Sequence, residues 1–421
     1  MKNKILFAML CIAVLTTGCN GSKKEIETSS QTKDSTSSQT KDSTVKENSL
    51  ENTKPNTPVK PSPELSDDIY SFKFQYNNTV YSLPAAYSDF VANSWKCEEE
   101  YTNAKVKPDL NDISTPLINS NSETRLFAFL SNFGNSVDTI DNCHVSSIII
   151  RSDMFDSSDT IYLPGNIQFN KSTADDIKKA YGTPSSVFEG SRYTKYTYTY
   201  DVLSYVDLYI DSTTKTLSEI KIDNPVAPDN IVKKPVSTET PESVSAYTAP
   251  KAQSDDFSDY ICNYAGDLYQ LPAPVSAFIK NGWEIDTTNT DSSDPIECTN
   301  SSVNAHDRGW VELKRDNKVI RARVFNSTDN AVTIENSTIT MLSSDTSDLD
   351  STIPFTVSKN ITLGKSKDEL TKALQGLNHE MDDRFCYLYA TNGNEYDRYI
   401  FILDTETKTI DKIEIDLDEA D

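Results

Sequence analysis

Glycine, histidine and basic residues are all scarce in this sequence. Its 421 residues include 12 glycines and 3 histidines, and 40 lysines and arginines stand against 64 acidic residues, for a formal net charge of −24. So few glycines disfavour a Gly-rich phosphate loop, and no Gly-x-Ser-x-Gly motif marks a nucleophilic serine. Nucleic acid requires a basic surface that the sequence does not provide. We therefore expect no nucleic-acid partner.

The spacings typical of metal sites are also missing. His144, His306 and His379 are isolated in the sequence, and neither Cys-x-x-Cys nor His-x-x-x-His occurs. Acidic clusters at 153–159 and 344–350 lack the central glycine and the ligand spacing of an EF-hand loop. The sequence therefore predicts no metal ion, no cofactor and no catalytic residue.

An apolar run at residues 5–15 follows two lysines and is short for a membrane span. It ends in Leu-Thr-Thr-Gly-Cys, which resembles the lipobox of bacterial lipoproteins, although Thr16 stands where an aliphatic residue is usual. The resemblance implies a signal peptide over residues 1–18, cleavage after Gly18 and a diacylglycerol on Cys19. A cleaved secretory signal without lipid is the alternative. Two acyl chains give stable attachment, so we expect a lipid-anchored protein on the extracellular face of the cell membrane.

Residues 19–66 contain no aromatic side chain, and they repeat the octapeptide Ser-Ser-Gln-Thr-Lys-Asp-Ser-Thr at 29–36 and 37–44. So polar a segment buries too little apolar surface to offset the conformational entropy lost on folding. We predict a disordered tether. A polar spacer after a lipidated cysteine resembles the arrangement in Gram-positive lipoproteins.

The rest of the chain contains an internal duplication. The segments 81–95 and 269–283 are identical at eight of fifteen positions, and 210–223 matches 403–416. We predict two modules, copy 1 (68–224) and copy 2 (256–419), joined by a Pro-rich linker over 225–255. Each copy tests the other, because a residue present in only one of them cannot be required by the shared fold.

Each module is expected to combine an antiparallel sheet with two short helices, which is the α+β class. A Leu-Pro dipeptide precedes the first helix in each copy, and the patterns Thr173…Asp176 and Ser366…Glu369 are capping boxes that begin the second. A three-stranded meander follows. This order resembles the outer-membrane assembly factor BamE and the β-lactamase-inhibitor proteins. The Leu-Pro…Asn-x-Trp opening resembles uncharacterised surface lipoproteins of Firmicutes, which implies a location and no activity.

None of the five cysteines after Cys19 recurs in the other copy, so a disulfide is not required by the shared fold. Disulfides are permitted outside the cell, and Cys97 with Cys143 is the possible pair within copy 1. The pair is either a disulfide or two small buried thiols. The five are Cys97, Cys143, Cys262, Cys298 and Cys386.

Aromatic residues are the remaining candidates for function. Some recur in both copies, and three tyrosines alternate along one predicted strand of copy 1. They either pack in the core or form a shallow surface for a glycan or peptide, since tyrosine and tryptophan bind well while partly hydrated. The candidates are Tyr81, Trp95, Tyr269, Trp283, Tyr196, Tyr198 and Tyr200.

The sequence thus predicts an envelope protein with tandem modules that bind or assemble and do not catalyse; the partner is an envelope protein, a peptide or a glycan. One alternative is an enzyme that acts on cell-wall polymers through paired carboxylates. The acidic residues that recur, Asp211 with Asp404 and Asp223 with Asp416, occupy turns and strand ends. A solute-binding lipoprotein of a transporter is the other alternative, and it requires a pocket shared by the two modules.

Overall fold

The structure is a computed structural model, and it describes residues 59–286, 301–346, 353–390 and 396–418. The predicted signal peptide, Cys19 and most of the predicted tether lie outside the described residues, as does Cys298. Residues Pro58–Asp421 form one compact unit. Within the described ranges, every helix falls short of the length and apolar character that a membrane crossing requires.

The described part of copy 1 contains fifteen strands. In chain order they are β1 (Lys73–Tyr76), β2 (Thr79–Ser82), β3 (Ala85–Ala86), β4 (Trp95–Cys97), β5 (Lys105–Val106), β6 (Asp109–Asn119), β7 (Arg125–Asn132), β8 (Asp138–Thr139), β9 (His144–Arg151), β10 (Ile161–Leu163), β11 (Ile167–Gln168), β12 (Ser186–Glu189), β13 (Tyr193–Thr199), β14 (Tyr205–Asp211) and β15 (Leu217–Asp223).

The described part of copy 2 contains fifteen more, and each corresponds to the strand numbered fifteen lower in copy 1. They are β16 (Ile261–Tyr264), β17 (Asp267–Gln270), β18 (Ala273–Pro274), β19 (Glu284–Ile285), β20 (Ser302–Val303), β21 (Arg308–Arg315), β22 (Lys318–Phe325), β23 (Val332–Thr333), β24 (Thr338–Asp345), β25 (Phe355–Val357), β26 (Ile361–Thr362), β27 (His379–Met381), β28 (Phe385–Tyr389), β29 (Arg398–Leu403) and β30 (Ile410–Asp416).

Both copies have the same sheet topology. A nine-stranded antiparallel sheet has the order β4-β6-β7-β9-β15-β14-β13-β12 with β3 also on β9, and copy 2 repeats it as β19-β21-β22-β24-β30-β29-β28-β27 with β18 on β24. A four-stranded sheet has the order β2-β1-β10-β11, repeated as β17-β16-β25-β26. The buried core of each copy contains residues of both sheets. The duplication therefore extends to every strand of the module.

The predicted α+β class is wrong, because the protein is mainly β. Strands hold 43 % of the described residues, and helices, including the short 3-10 helices, hold 17 %; five of these helices are α-helices. The physical reason lies in the segment between the two helices of each copy. There β6 pairs with β7, β7 pairs with β9, and β9 pairs with β15, so these long strands extend the expected meander into one large sheet.

The two helices predicted from capping boxes begin where those patterns place them. In copy 1 the α-helices are α1 (Tyr87–Ala92) and α2 (Ala174–Tyr181); α3 (Glu242–Ser245) lies between the copies, and copy 2 contains α4 (Val275–Lys280) and α5 (Lys367–Ala373). Both predicted capping boxes are present at α2 and α5. The Leu-Pro peptide bonds that precede α1 and α4 are both cis.

Two predicted boundary segments contain ordered contacts. At the end of the predicted tether, Leu65 is buried, and the Gln75 side chain donates to the Lys60 carbonyl oxygen at 2.9 Å. Within the predicted linker, the main chain of Lys234 exchanges two hydrogen bonds with the Asn135 side chain, at 2.9 and 3.0 Å. The sequence prediction placed these segments outside the modules because it relied on composition, which does not reveal hydrogen bonds between distant residues.

The two copies also contact each other directly. The Val137 amide donates to the Asp329 carbonyl oxygen at 2.8 Å, and the Ala305 amide donates to the Asn135 carbonyl oxygen at 3.0 Å. The Ala331 amide donates to the hydroxyl of Ser136 at 3.1 Å. The copies therefore share a hydrogen-bonded contact built from one loop of copy 1 and two segments of copy 2.

Candidate functional site

Six of the seven predicted aromatic residues are buried in the two cores. The exposed fraction is 1 % for both Trp95 and Trp283, and Tyr81 and Tyr269 are buried beside them. Tyr81 stacks on Phe90 with ring centroids 4.4 Å apart, and the equivalent pair in copy 2 is 3.9 Å apart. A ring with so little exposed area cannot form a surface platform, so this expectation is corrected to core packing for these residues.

The strand register decides between the two alternatives for the alternating tyrosines of β13. Tyr196 and Tyr198 pair with Leu208 and Val206 of β14 and point into the core, while Tyr200 lies beyond the strand and is exposed. The alternation of the strand was correctly identified, but the solvent face is the one that carries Tyr193.

Cys97 and Cys143 are both buried and are not joined in the predicted disulfide. The thiol of Cys143 lies 3.5 Å from the Thr139 carbonyl oxygen. Both cysteines occupy the core cluster of copy 1 and fill apolar space there.

The acidic residues that recur in both copies have structural partners. Asp211 and Asp404 each accept two main-chain hydrogen bonds and so close the turns before β15 and β30. Asp223 pairs with Lys221 at 3.1 Å, and Asp416 pairs with Arg323 at 2.6 Å. The described residues contain no cluster of three or more potential metal ligands. Recurrence of these carboxylates is therefore explained by the fold.

A groove recurs beside the capped helix of each copy. In copy 1 it encloses about 560 Å³ between α2 and the turn at Asn166, and in copy 2 about 350 Å³ between α5 and Asn360. Hydrogen bonds from Lys365 and Ser366 lower the pKa of Glu369, in the second groove, to about 2. A carboxyl with this pKa stays ionised at neutral pH and cannot act as a general acid. The groove belongs to the shared module.

The two copies differ in the chemistry of the outer face of the large sheet, which is the face turned away from the core. On this face of copy 1, strands β6, β7 and β9 carry a half-buried apolar patch. We call it the outer patch, and its residues are Pro116, Ile118, Phe127, Phe129 and Ile149. These residues alternate along their strands with the core residues Leu126, Ala128 and Ile148.

Copy 2 carries charged and polar residues at the same positions. The side chains of Asn132 and Asn326 make equivalent hydrogen bonds, so the two residues occupy the same position in the two copies. Counting back from them, Arg323 is the equivalent of Phe129, and Arg321 is the equivalent of Phe127. Arg323 pairs with Asp416 at 2.6 Å, and Arg321 pairs with Glu312 at 2.7 Å. The fold therefore does not require an apolar outer patch.

Next to the outer patch, a line of directly opposed residues crosses five strands of copy 1. Strand pairing places Lys195 opposite both Phe188 and Tyr209, and Glu219 opposite both Tyr209 and Arg151. We call this line the outer row, and its residues are Phe188, Lys195, Tyr209, Glu219 and Arg151. The Tyr193 ring lies between the two aromatic rings of the row, with centroids 5.9 Å from Phe188 and 5.1 Å from Tyr209.

The charges near the outer row compensate one another. Lys195 pairs with Asp207 at 3.1 Å, and Arg151 lies 4.0 Å from Glu219 and 2.8 Å from Asp153. Burial, followed by the charges of Asp207 and Glu219, raises the pKa of the Tyr209 hydroxyl above its usual value. That hydroxyl stays protonated at neutral pH and is able to donate as well as accept a hydrogen bond.

Comparison of the chain with protein-family models, with curated proteins and with solved structures gives no match. The case for the candidate surface therefore comes from the geometry of the outer patch and the outer row. The sequence held one signal for it, which is the presence of Phe127 and Phe129 in one copy against two arginines in the other. The residues of the outer row come from separate strands, and only the register brings them together.

Proposed function

We propose that this chain is a lipid-anchored protein of the extracellular cell envelope, and that its modules bind a ligand without catalysing a reaction. In this proposal the outer face of copy 1 is the binding surface. The observation that carries it is the contrast between Phe127 and Phe129 in copy 1 and the arginines at those positions in copy 2.

The contrast favours a functional role for the outer patch, because it shows that the shared fold does not require apolar residues there. Two modules with the same strand order maintain their folds with opposite surface chemistry at equivalent positions. Contiguous apolar surface rimmed by polar residues is typical of interaction sites in soluble domains. Half-buried Phe127, Phe129 and Ile149, bordered by the charged residues of the outer row, match that description.

The two alternatives receive less support from the described residues. The grooves do not repeat a pair of carboxylates, because Asp67 and Asp176 line the groove of copy 1 whereas Glu369 is the acidic residue lining that of copy 2. Each groove also belongs to a single copy, whereas a transporter's solute-binding protein would be expected to enclose its solute between the two modules. Of the three functions, only the proposed binding function assigns a role to the outer face of copy 1.

The anchor is tested by metabolic labelling with an alkyne analogue of palmitate. We expect the label to enter the wild-type protein and the Cys11→Ala variant, because cleavage after Gly18 removes Cys11. Cys19→Ala should lose the label completely. Full labelling of Cys19→Ala would refute the lipid anchor.

The binding surface is tested by capture from envelope fractions with the chain that lacks the signal peptide and carries Cys19→Ala. Phe129→Arg introduces the copy 2 residue at a position where the strand register places Asp223, which pairs with Lys221, as the equivalent of the Asp416 that pairs with Arg323. We expect this change to weaken capture by about tenfold or more, as at a binding hot spot. Val202→Ser, at an exposed loop position, is the matched control. Equal capture by Phe129→Arg and the control would contradict the proposal.

A further inference from the structure

We propose that the outer row of copy 1 binds a neutral polysaccharide, laid as an extended chain across strands β12, β13, β14, β15 and β9. This inference rests on the proposed binding function and names its ligand class. It follows from three properties of the row: its aromatic geometry, its charge balance and its open end.

The aromatic geometry suits sugar rings. Phe188 is 54 % exposed, and the rings of Tyr193 and Tyr209 continue from it at centroid separations of 5.9 and 5.1 Å. Phe188 and Tyr209 lie two strands apart, a span of roughly 10 Å, which is comparable to two linked sugar rings. One face of a pyranose ring consists of C–H groups that pack on aromatic carbon, while its hydroxyl groups stay hydrated, as the edges of tyrosine do.

The charge balance favours a ligand without charge. The ammonium of Lys195 is matched by Asp207, and the guanidinium of Arg151 by Glu219 and Asp153. A polyanion would find no uncompensated cation in this row and would approach a chain of net charge −24. A carboxylate in an ion pair retains lone pairs for hydroxyl donors. Glu219, whose side chain is 32 % exposed, is therefore suited to sugar hydroxyl groups.

The open end favours a polymer. Strand β12 is the edge of the large sheet, and all four of its residues are exposed. Sites for small ligands are concave and enclose most of the ligand surface, whereas the row is an exposed line on a sheet face. A chain of sugar rings is able to continue past Phe188 without obstruction from the edge strand.

The copy 2 row differs and provides a control inside the same molecule. Its positions on β28, β29, β30 and β24 are occupied by Phe385, Ile402, Lys412 and Asp345. Phe385 stacks on Tyr387 along the same strand, with ring centroids 6.2 Å apart, but the outer face of β29 carries Ile400 and Ile402 and continues no aromatic strip across the sheet. We therefore assign polysaccharide binding to copy 1 alone.

Native gel electrophoresis through immobilised polysaccharide tests the inference. The probes are three neutral polymers, hydroxyethylcellulose, galactomannan and mixed-linkage glucan, and one anionic polymer, polygalacturonate. We expect at least one neutral polymer to retard the unlipidated chain, and Phe188→Ala and Tyr209→Ala each to weaken that binding by about tenfold, as for an interface hot spot. Phe385→Ala, the matched change in copy 2, should leave the retardation unchanged, and Tyr209→Phe should preserve most of it.

Several results would overturn the inference. They are no retardation by any neutral polymer, retardation by polygalacturonate alone, and equal retardation of the Tyr209→Ala and Phe385→Ala variants. The same variants used in envelope capture separate the two proposals. If Phe129→Arg abolishes capture of an envelope protein while the neutral polymers have no effect, the binding function stands and its ligand is a protein.

Discussion

Asp159 is a buried carboxylate on which the two copies differ. In copy 1 it accepts hydrogen bonds from Tyr76, from Asn77 at 2.9 Å and from Thr124 at 2.7 Å. In copy 2 the register of β25 places the apolar Ile353 at this position, and Tyr264 donates to the Ser343 carbonyl oxygen at 2.9 Å. A polar network and an apolar contact therefore serve the same place in one fold.

The pKa of Asp159 has a direct consequence for stability. Burial would raise this pKa, but hydrogen bonds from Ser122, Tyr76, Asn77 and Thr124 outweigh burial and hold the pKa below its usual value. The folded state therefore favours the ionised form. Its contribution to the free energy of unfolding is fully present above the unfolded pKa of about 4 and is lost as the pH falls through the lower, folded pKa.

We expect Asp159→Asn to lower the free energy of unfolding by about 1.5–3 kcal/mol at pH 7, the range for hydrogen bonds to a charged group. The difference from wild type should narrow as the pH falls below about 4. Urea denaturation at a series of pH values measures both effects. Glu100→Gln, at an exposed position, is the control. A deficit that stays constant down to pH 2 would show that ionisation of Asp159 contributes nothing.

At the scale of single elements, short local patterns in the sequence predicted helix starts well, but they did not predict the long-range pairing of strands. The caps of α2 and α5 are set within four residues, by Thr173 with Asp176 and by Ser366 with Glu369, so the sequence sufficed to place both helices. The fold class depended instead on the pairing of Ile220 in β15 with Ile150 in β9, seventy positions apart in the chain. No local pattern specifies such a partner.

The candidate site was hidden for the same reason. Phe188 and Arg151 belong to a single row only because three intervening strands hold a fixed register. The residues that recur in both copies, such as Trp95 and Trp283, proved to be core, because a duplicated fold must repeat its packing. The chemistry that distinguishes the copies lies at positions where they diverge. A comparison of the copies by strand register, rather than by sequence offset, therefore separates scaffold from surface.

At the scale of the whole molecule, the segment between the copies is part of the contact rather than a free spacer. The Lys234 ammonium donates a hydrogen bond to the Val137 carbonyl oxygen at 2.9 Å and forms an ion pair with Asp138 at 3.0 Å. The Ser237 amide then donates to the Ala331 carbonyl oxygen of copy 2 at 2.7 Å. The same short segment therefore bonds to both copies. We predict that each module folds independently, and from these contacts we also expect each module to be more stable in the presence of the other.

Fragments of the chain test this coupling. We expect residues 59–224 to fold, as judged by circular dichroism, but to unfold with a free energy roughly 1–3 kcal/mol below that of copy 1 in the full chain. The fragment loses the main-chain partners of Asn135 and Ser136. A longer fragment, 59–239, restores the two hydrogen bonds between Asn135 and Lys234 and should recover part of the difference. Hydrogen exchange at strands β7 and β9 reports copy 1 separately in each protein. Equal protection in all three would mean that the contact between the copies adds no stability, and an unstructured 59–224 fragment would show that copy 1 requires copy 2 to fold.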